Sequence, residues 1–117
     1  PSEGARQLAD EFKRIRHFFF GDFYPLTPYS VADDAWMAYQ FDRDDIRQGI
    51  VLVFRRPMSP ERDLRLRLKG LSRSALYEIH YEDDGARRIM TGEELADGVV
   101  VTIDDAPGSL LMTYRSV

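Results

Sequence analysis

Two histidines, His17 and His80, and four adjacent carboxylate pairs are the residues here best suited to chemistry. The pairs are Asp33-Asp34, Asp44-Asp45, Asp83-Asp84 and Asp104-Asp105. Two carboxyls suffice for glycoside hydrolysis when they flank one bond. Here each pair lies in or beside a turn signal, where Asp is common because its side chain hydrogen-bonds the local backbone. Adjacent residues on a strand also point to opposite faces, which is wrong for a catalytic dyad. Turn and cap duty is the better reading. The histidines are far apart, one at a predicted helix end and one in a predicted strand, and neither has the spacing of a metal site. His80 alternates with Tyr77, Ile79 and Tyr81, which places it beside Glu78 on the solvent side of its strand.

The remaining nucleophiles and cradles are excluded in turn. The sequence holds no cysteine, which removes disulfides, thiolate zinc sites and a Cys nucleophile. There is no G-x-S-x-G elbow, no GxGxxG and no P-loop. No catalytic residue, no metal site and no cofactor are expected. Trp36 and Tyr39 are the candidates for stacking on a sugar. Yet Met37, Tyr39 and Phe41 make one face of their strand apolar, and Trp36 and Ala38 make the other face largely apolar too. A strand apolar on both faces is usually covered on both. Packing in a core or against a neighbouring domain is therefore the stronger reading for Trp36.

The elements that position these residues follow from periodicity. Ala5, Leu8, Phe12, Ile15 and Phe19 recur at near-helical spacing, predicting one amphipathic helix from Glu3 to about His17. Gly21 and Pro25 end anything helical, and a linking stretch runs on to Asp34. The period then changes to two. Strands are predicted over 34–42, 49–56, 63–69, 75–83, 98–104 and 109–115, with a short additional one at Arg87 to Met90. TGEEL reads as a helical turn with Thr91 as its N-cap. Short strands separated by turns, without room for crossovers, predict an antiparallel β-sandwich of six to eight strands with one N-terminal helix. The division is then 1–33, helix and aromatic linker, and 34–117, sandwich domain.

Composition agrees. The chain has 117 residues, which matches one domain able to bury about two-thirds of its unfolded surface. Its net charge is −4, with basic residues gathered between Arg55 and Arg73 and acidic ones between Glu82 and Asp105. The basic stretch suggests a nucleic-acid surface, but Leu64, Leu66 and Leu68 alternate with Arg65, Arg67 and Lys69. That is a half-buried strand with a charged outer face, and it lacks the interleaved aromatics of a single-strand binder. No nucleic-acid or membrane partner is expected. The first 17 residues carry no signal-peptide pattern, so a cytoplasmic setting is the expectation. The sequence begins Pro-Ser-Glu-Gly without Met and is expected to be a piece of a longer chain.

One segment fits none of these roles. HFFFGDFYPLTPYS, from His17 to Ser30, holds Phe18, Phe19, Phe20, Phe23, Tyr24 and Tyr29 between two prolines and a glycine. It is too interrupted for a helix and too apolar for an exposed loop. GDFYPLTPYS, followed by ADDAWMAYQFDR and GIVLVFRRPMSPERDLRLRLKGL, resembles the C-terminal end of glycoside hydrolase family 36 α-galactosidases. TGEEL, GVVVTI and PGSLLMTYR are similar to the closing strands of the same domain, so the resemblance runs from about Phe20 to the last residues.

The resemblance implies a non-catalytic accessory domain that packs on a (β/α)8 barrel whose last helix is Glu3 to His17. The barrel's two catalytic aspartates then lie outside this sequence. It also implies a parent enzyme that retains anomeric configuration and needs no metal, with a homo-oligomer among its expected states. On this reading Phe18, Phe19, Phe20, Phe23, Tyr24 and Trp36 are interdomain packing residues. A carbohydrate-binding module and a stand-alone interaction domain are the alternatives.

Overall fold

The computed structural model describes residues 2–117. Ser2 opens the first helix by accepting a hydrogen bond from the Ala5 N–H at 3.1 Å, satisfying one of the donors a helix start leaves free. Helix α1 spans Glu3–Ile15. The chain then tightens into a 3₁₀ turn, Arg16–Phe20, rather than continuing as α-helix to His17. The Gly21 N–H closes that turn on the Phe18 carbonyl at 2.9 Å.

Eight strands and a short helix follow: β1 (Asp22–Pro25), β2 (Trp36–Arg43), β3 (Gln48–Arg55), β4 (Asp63–Leu66), β5 (Leu76–Tyr81), β6 (Arg87–Thr91), α2 (Gly92–Asp97), β7 (Val99–Thr102) and β8 (Gly108–Ser116). The fold is mainly β and antiparallel, as the alternation predicts. β1 is the strand that periodicity did not reveal, because four residues ending in Pro are too few to show a period of two. The aromatic stretch is thus no free linker: Asp22–Pro25 pairs with β2. Its edge position explains how Pro25 is tolerated, since an edge strand can leave one N–H unused. The Thr91 cap holds as a reciprocal box, with Glu94 N–H on Thr91 Oγ1 at 3.0 Å and Thr91 N–H on Glu94 Oε1 at 2.9 Å.

The strands form an open six-stranded sheet in the order β1-β2-β3-β8-β5-β6 and a two-stranded sheet, β4-β7. Register sets which side chains share a face. Ala38 opposes Val53, Gln40 opposes Val51, and Val51 opposes Met112. These positions point inward and meet Leu66, Val99 and Val101 of the smaller sheet in one core cluster. Leu95 of α2 closes the end of that core and is fully buried.

Within the apolar core runs a polar seam. The Tyr114 hydroxyl donates to Asp42 Oδ1 at 2.5 Å and accepts from Gln40 Nε2 at 2.8 Å. Gln40 also clasps the backbone of Lys69, donating to its carbonyl and accepting from its N–H, each at 2.8 Å. Burial pushes Asp42 above the usual carboxylate range, partly countered by the Tyr114 hydrogen bond. Burial and the neighbouring carboxylate push the Tyr114 hydroxyl up as well. Gly49 lies under this ring: a Cβ there would stand 2.1 Å from the phenol.

Two outcomes follow. Gly49→Ala should lower stability by about 1–3 kcal/mol, the cost of overpacking, read as a shifted urea midpoint; an unchanged midpoint would show that the ring has room to move. A carboxyl whose folded pKa is raised contributes stability below its unfolded pKa and loses it as pH rises through the folded value. Asp42→Asn keeps the acceptor and removes the charge, so its stability relative to the parent chain should improve as pH rises from about 4 toward neutral. A difference independent of pH would disprove the assignment.

Candidate functional site

Members of the carboxylate pairs are engaged locally, although Asp83 lines one surface recess together with Asp104 and Asp105. Asp45 accepts two hydrogen bonds from Arg43, at 2.8 and 2.6 Å. Asp84 accepts from the Ala86 N–H at 2.9 Å. Asp33 and Asp104 form exposed pairs with Arg56 and Arg62 at 3.5 and 3.7 Å. Among the described residues no group of three or more His, Cys, Asp or Glu side chains could hold a metal ion, and no helix is long and apolar enough to cross a membrane. His17 lies beside Arg43, whose guanidinium donates to the His17 carbonyl at 3.1 Å. Burial and that guanidinium lower the His17 pKa, with Asp45 opposing them.

Trp36 takes the core position, one of the two packing roles expected of it, rather than a place on the outer surface: it is 8% exposed and belongs to the core cluster. The reason is register: Trp36 points inward with Ala38 and Gln40, opposite Arg55. Arg55 is the buried functional group that sequence reasoning missed. Its guanidinium donates to the carbonyls of Ile103, Asp104 and Ser59 at 2.7, 3.0 and 2.8 Å. Only a β3 register placing Arg55 on the inner face could have revealed it. Phe18 is also enclosed by this chain, at 5% exposure, and Tyr24 is half-buried.

What remains open is the outer face of the large sheet. It divides into two halves. On β1, β2 and β3 it carries Phe23, Met37, Tyr39, Phe41, Leu52 and Phe54, with Phe23 stacked on Tyr39 at 5.8 Å. On β8, β5 and β6 it carries Thr113, Arg115, Glu78, His80 and Arg87. The 3₁₀ turn lies against β2 and β3, and Phe19 meets Phe41 edge-on at 4.9 Å.

Helix α1 presents its polar residues to the sandwich. Arg14 forms a bidentate pair with Glu82 at 3.1 and 2.8 Å, and Glu11 shares a shallow groove with Leu52, Phe54 and Leu111. Burial alone would raise the Glu82 pKa, but the Arg14 hydrogen bonds and charge, with His80 and Thr113, outweigh it and lower the value. The apolar stripe of the helix is left uncovered: Leu8 is 69% and Phe12 58% exposed. No residue of α1 is buried. With Phe20 at 87% and Phe23 at 53%, these side chains form an unpartnered apolar surface of the kind that marks an interface.

A fold of this kind recurs in solved structures. The chain is similar to one domain of α-galactosidases. It superposes on the galactosidase domain of the α-galactosidase–sucrose kinase AgaSK with a TM-score of 0.76 at 17% identity, covering 96% of this chain and 15% of that one. It superposes on a variant of the glycoside hydrolase family 36 α-galactosidase AgaA from Geobacillus stearothermophilus, solved with 1-deoxygalactonojirimycin. There the TM-score is 0.75 at 25% identity, covering 100% of this chain and 16% of that one. The chain thus spans about one-sixth of the length of these α-galactosidase chains. No protein-family model matches the sequence, and no curated protein matches it.

The Arg14–Glu82 clamp is the one ion pair between helix and sandwich among the described residues. Arg14→Ala should speed hydrogen exchange of the α1 amides. The sandwich should lose no more than about 1 kcal/mol, since the Arg14 end of the pair is half exposed and Glu82 keeps the Thr113 hydroxyl as a donor. Unchanged α1 protection would show that the helix is held by something else.

Proposed function

We propose that this chain is a non-catalytic accessory domain of an α-galactosidase. It packs on and stabilises a catalytic (β/α)8 barrel belonging to the same protein. The observation that carries this reading is the apolar stripe of α1, Leu8 and Phe12, exposed on a helix whose polar side meets the sandwich. A helix of that design is made to be covered from its other side. Burying a Leu or Phe side chain contributes about 1.5–3 kcal/mol, so Leu8, Phe12, Phe20 and Phe23 together supply a stable seam. The structural likeness to α-galactosidases many times longer supports a large neighbouring body.

In this reading residues 1–33 are the last barrel helix and its aromatic connection, and 34–117 are the body of the sandwich, with β1 contributed across that division. Phe19, Phe20 and Phe23 are the interdomain packing residues. The enzyme is a cytoplasmic, metal-free, retaining glycosidase acting on terminal α-galactosides, with its catalytic aspartates outside this sequence. A homo-oligomer is compatible with the same surface. The carbohydrate-module reading keeps only Tyr39 as a stacking candidate, beside Phe23 on the open face, since Trp36 is enclosed.

The test uses the coding sequence upstream of Pro1. The whole protein should hydrolyse an aryl α-galactoside. Leu8→Asp with Phe12→Asp should lower its thermal midpoint by several degrees, a loss of a few kcal/mol. The same pair of changes in the 117-residue chain should abolish the self-association expected in light scattering at high concentration. A whole protein indifferent to both changes, or a strictly monomeric parent fragment, would overturn the docking role.

A further inference from the structure

We propose that a polar recess on the β8–β5–β6 half of the outer face binds one edge of a neutral sugar or other small polyol. The proposal is independent of the docking role, because the recess lies on the half of the sheet opposite to Phe23 and Met37. Two adjacent rows of the sheet build it. In one, Gln48 opposes Arg115, which opposes Glu78; in the next, Thr113 opposes His80, which opposes Arg87. Side chains so opposed stand about 5 Å apart and converge. Phe18 of the 3₁₀ turn bounds one side, and the enclosed volume is about 120 Å³.

The hydrogen-bonding capacity left open there is mixed in kind. Arg87 donates to Glu78 Oε1 at 2.6 Å, and Arg115 approaches the same oxygen at 3.4 Å. Glu78 Oε2 has no partner among the described residues. His80 Nδ1 stands 3.2 Å from Glu82 Oε1. Its Nε2 has no hydrogen-bond partner among the described residues, and an imidazole nitrogen donates or accepts according to the tautomer. The Gln48 amide, also without a partner among the described residues, offers both a donor and an acceptor.

An oxyanion accepts only and would meet the Glu78 carboxylate, which Arg87 holds ionised. An ammonium donates only and would meet two guanidiniums. A hydroxyl does both, and neighbouring hydroxyls on a carbon frame fit alternating donors and acceptors. The Phe18 ring suits the C–H face of such a frame. The volume equals that of roughly four waters, room for two hydroxyls and the carbons bearing them, with the rest of a ring outside.

The 117-residue chain is to be titrated separately with D-galactose, glycerol and inorganic phosphate. The Gln48 side-chain amide and the Thr113 and His80 backbone amides are followed by NMR. If the chain self-associates, the Leu8→Asp, Phe12→Asp form is used. Saturable shifts with galactose, at a midpoint of about millimolar for a ligand of a dozen heavy atoms, are the expected result. The midpoint should weaken at least tenfold in Glu78→Ala and in Gln48→Ala, while core amides such as Val101 stay unmoved. Glycerol shifting the same amides more weakly would support the polyol class. Shifts with phosphate alone, shifts that grow linearly across the surface, or a galactose response untouched by both variants would each overturn the proposal.

Discussion

The hydroxyl of Tyr114 is the point on which the two layers are registered. It joins β8 to β2 through Asp42 and Gln40, and Gln40 carries the connection on to the backbone of Lys69, just beyond β4. Apolar burial is non-directional, so the facing of Leu66 and Val101 on Val51 and Met112 would tolerate small slides of one sheet over the other. The polar seam does not. In a low-dielectric interior each broken contact leaves a donor or acceptor unpaired, at about 1–3 kcal/mol. Gly49 belongs to the same constraint, because the phenol occupies the space a side chain would need.

Arg55 adds a second fixed point at the other end of β3. Its guanidinium has no carboxylate among its hydrogen-bond partners; Nη1 and Nη2 donate to carbonyls from two loops, at Ile103–Asp104 and at Ser59, while the buried Nε has no partner among the described residues. A buried charge that only backbone dipoles satisfy requires those loops to keep one conformation. The sandwich is therefore pinned by directional contacts at both ends of its central strands, with apolar packing between. Such a body is suited to serve as a rigid surface for something else.

That surface is the outer face. Its apolar half and the stripe of α1 have the composition of an interface core, whereas its polar half is laced by Arg87–Glu78–Arg115 and His80–Glu82. The helix is tied to the sandwich through the Arg14–Glu82 pair, with Glu11 facing a groove on the sheet, so its attachment is polar and its apolar side is uncovered. A neighbour seated on the apolar half, as proposed, would leave the polar half open to solvent and to solutes.

Alternation from Trp36 to Arg115 was enough to read antiparallel strands. The capping pattern of Thr91 and Glu94 was enough to place α2, because both depend on neighbours in sequence. The acidic pairs were legible as turn residues for the same reason. The outward stripe of α1 was visible in the spacing of Ala5, Leu8 and Phe12. Other features were decided only by pairing. β1 exists because β2 offers it an edge. Trp36 turns inward because its register with Arg55 places it there. Phe18 is buried while Phe20 is not, because the 3₁₀ turn sends one ring toward the sheet and the next into solvent. Local propensity and periodicity are written in consecutive residues, but which of two faces is covered depends on partners far along the chain, and only the assembled sheets bring those together.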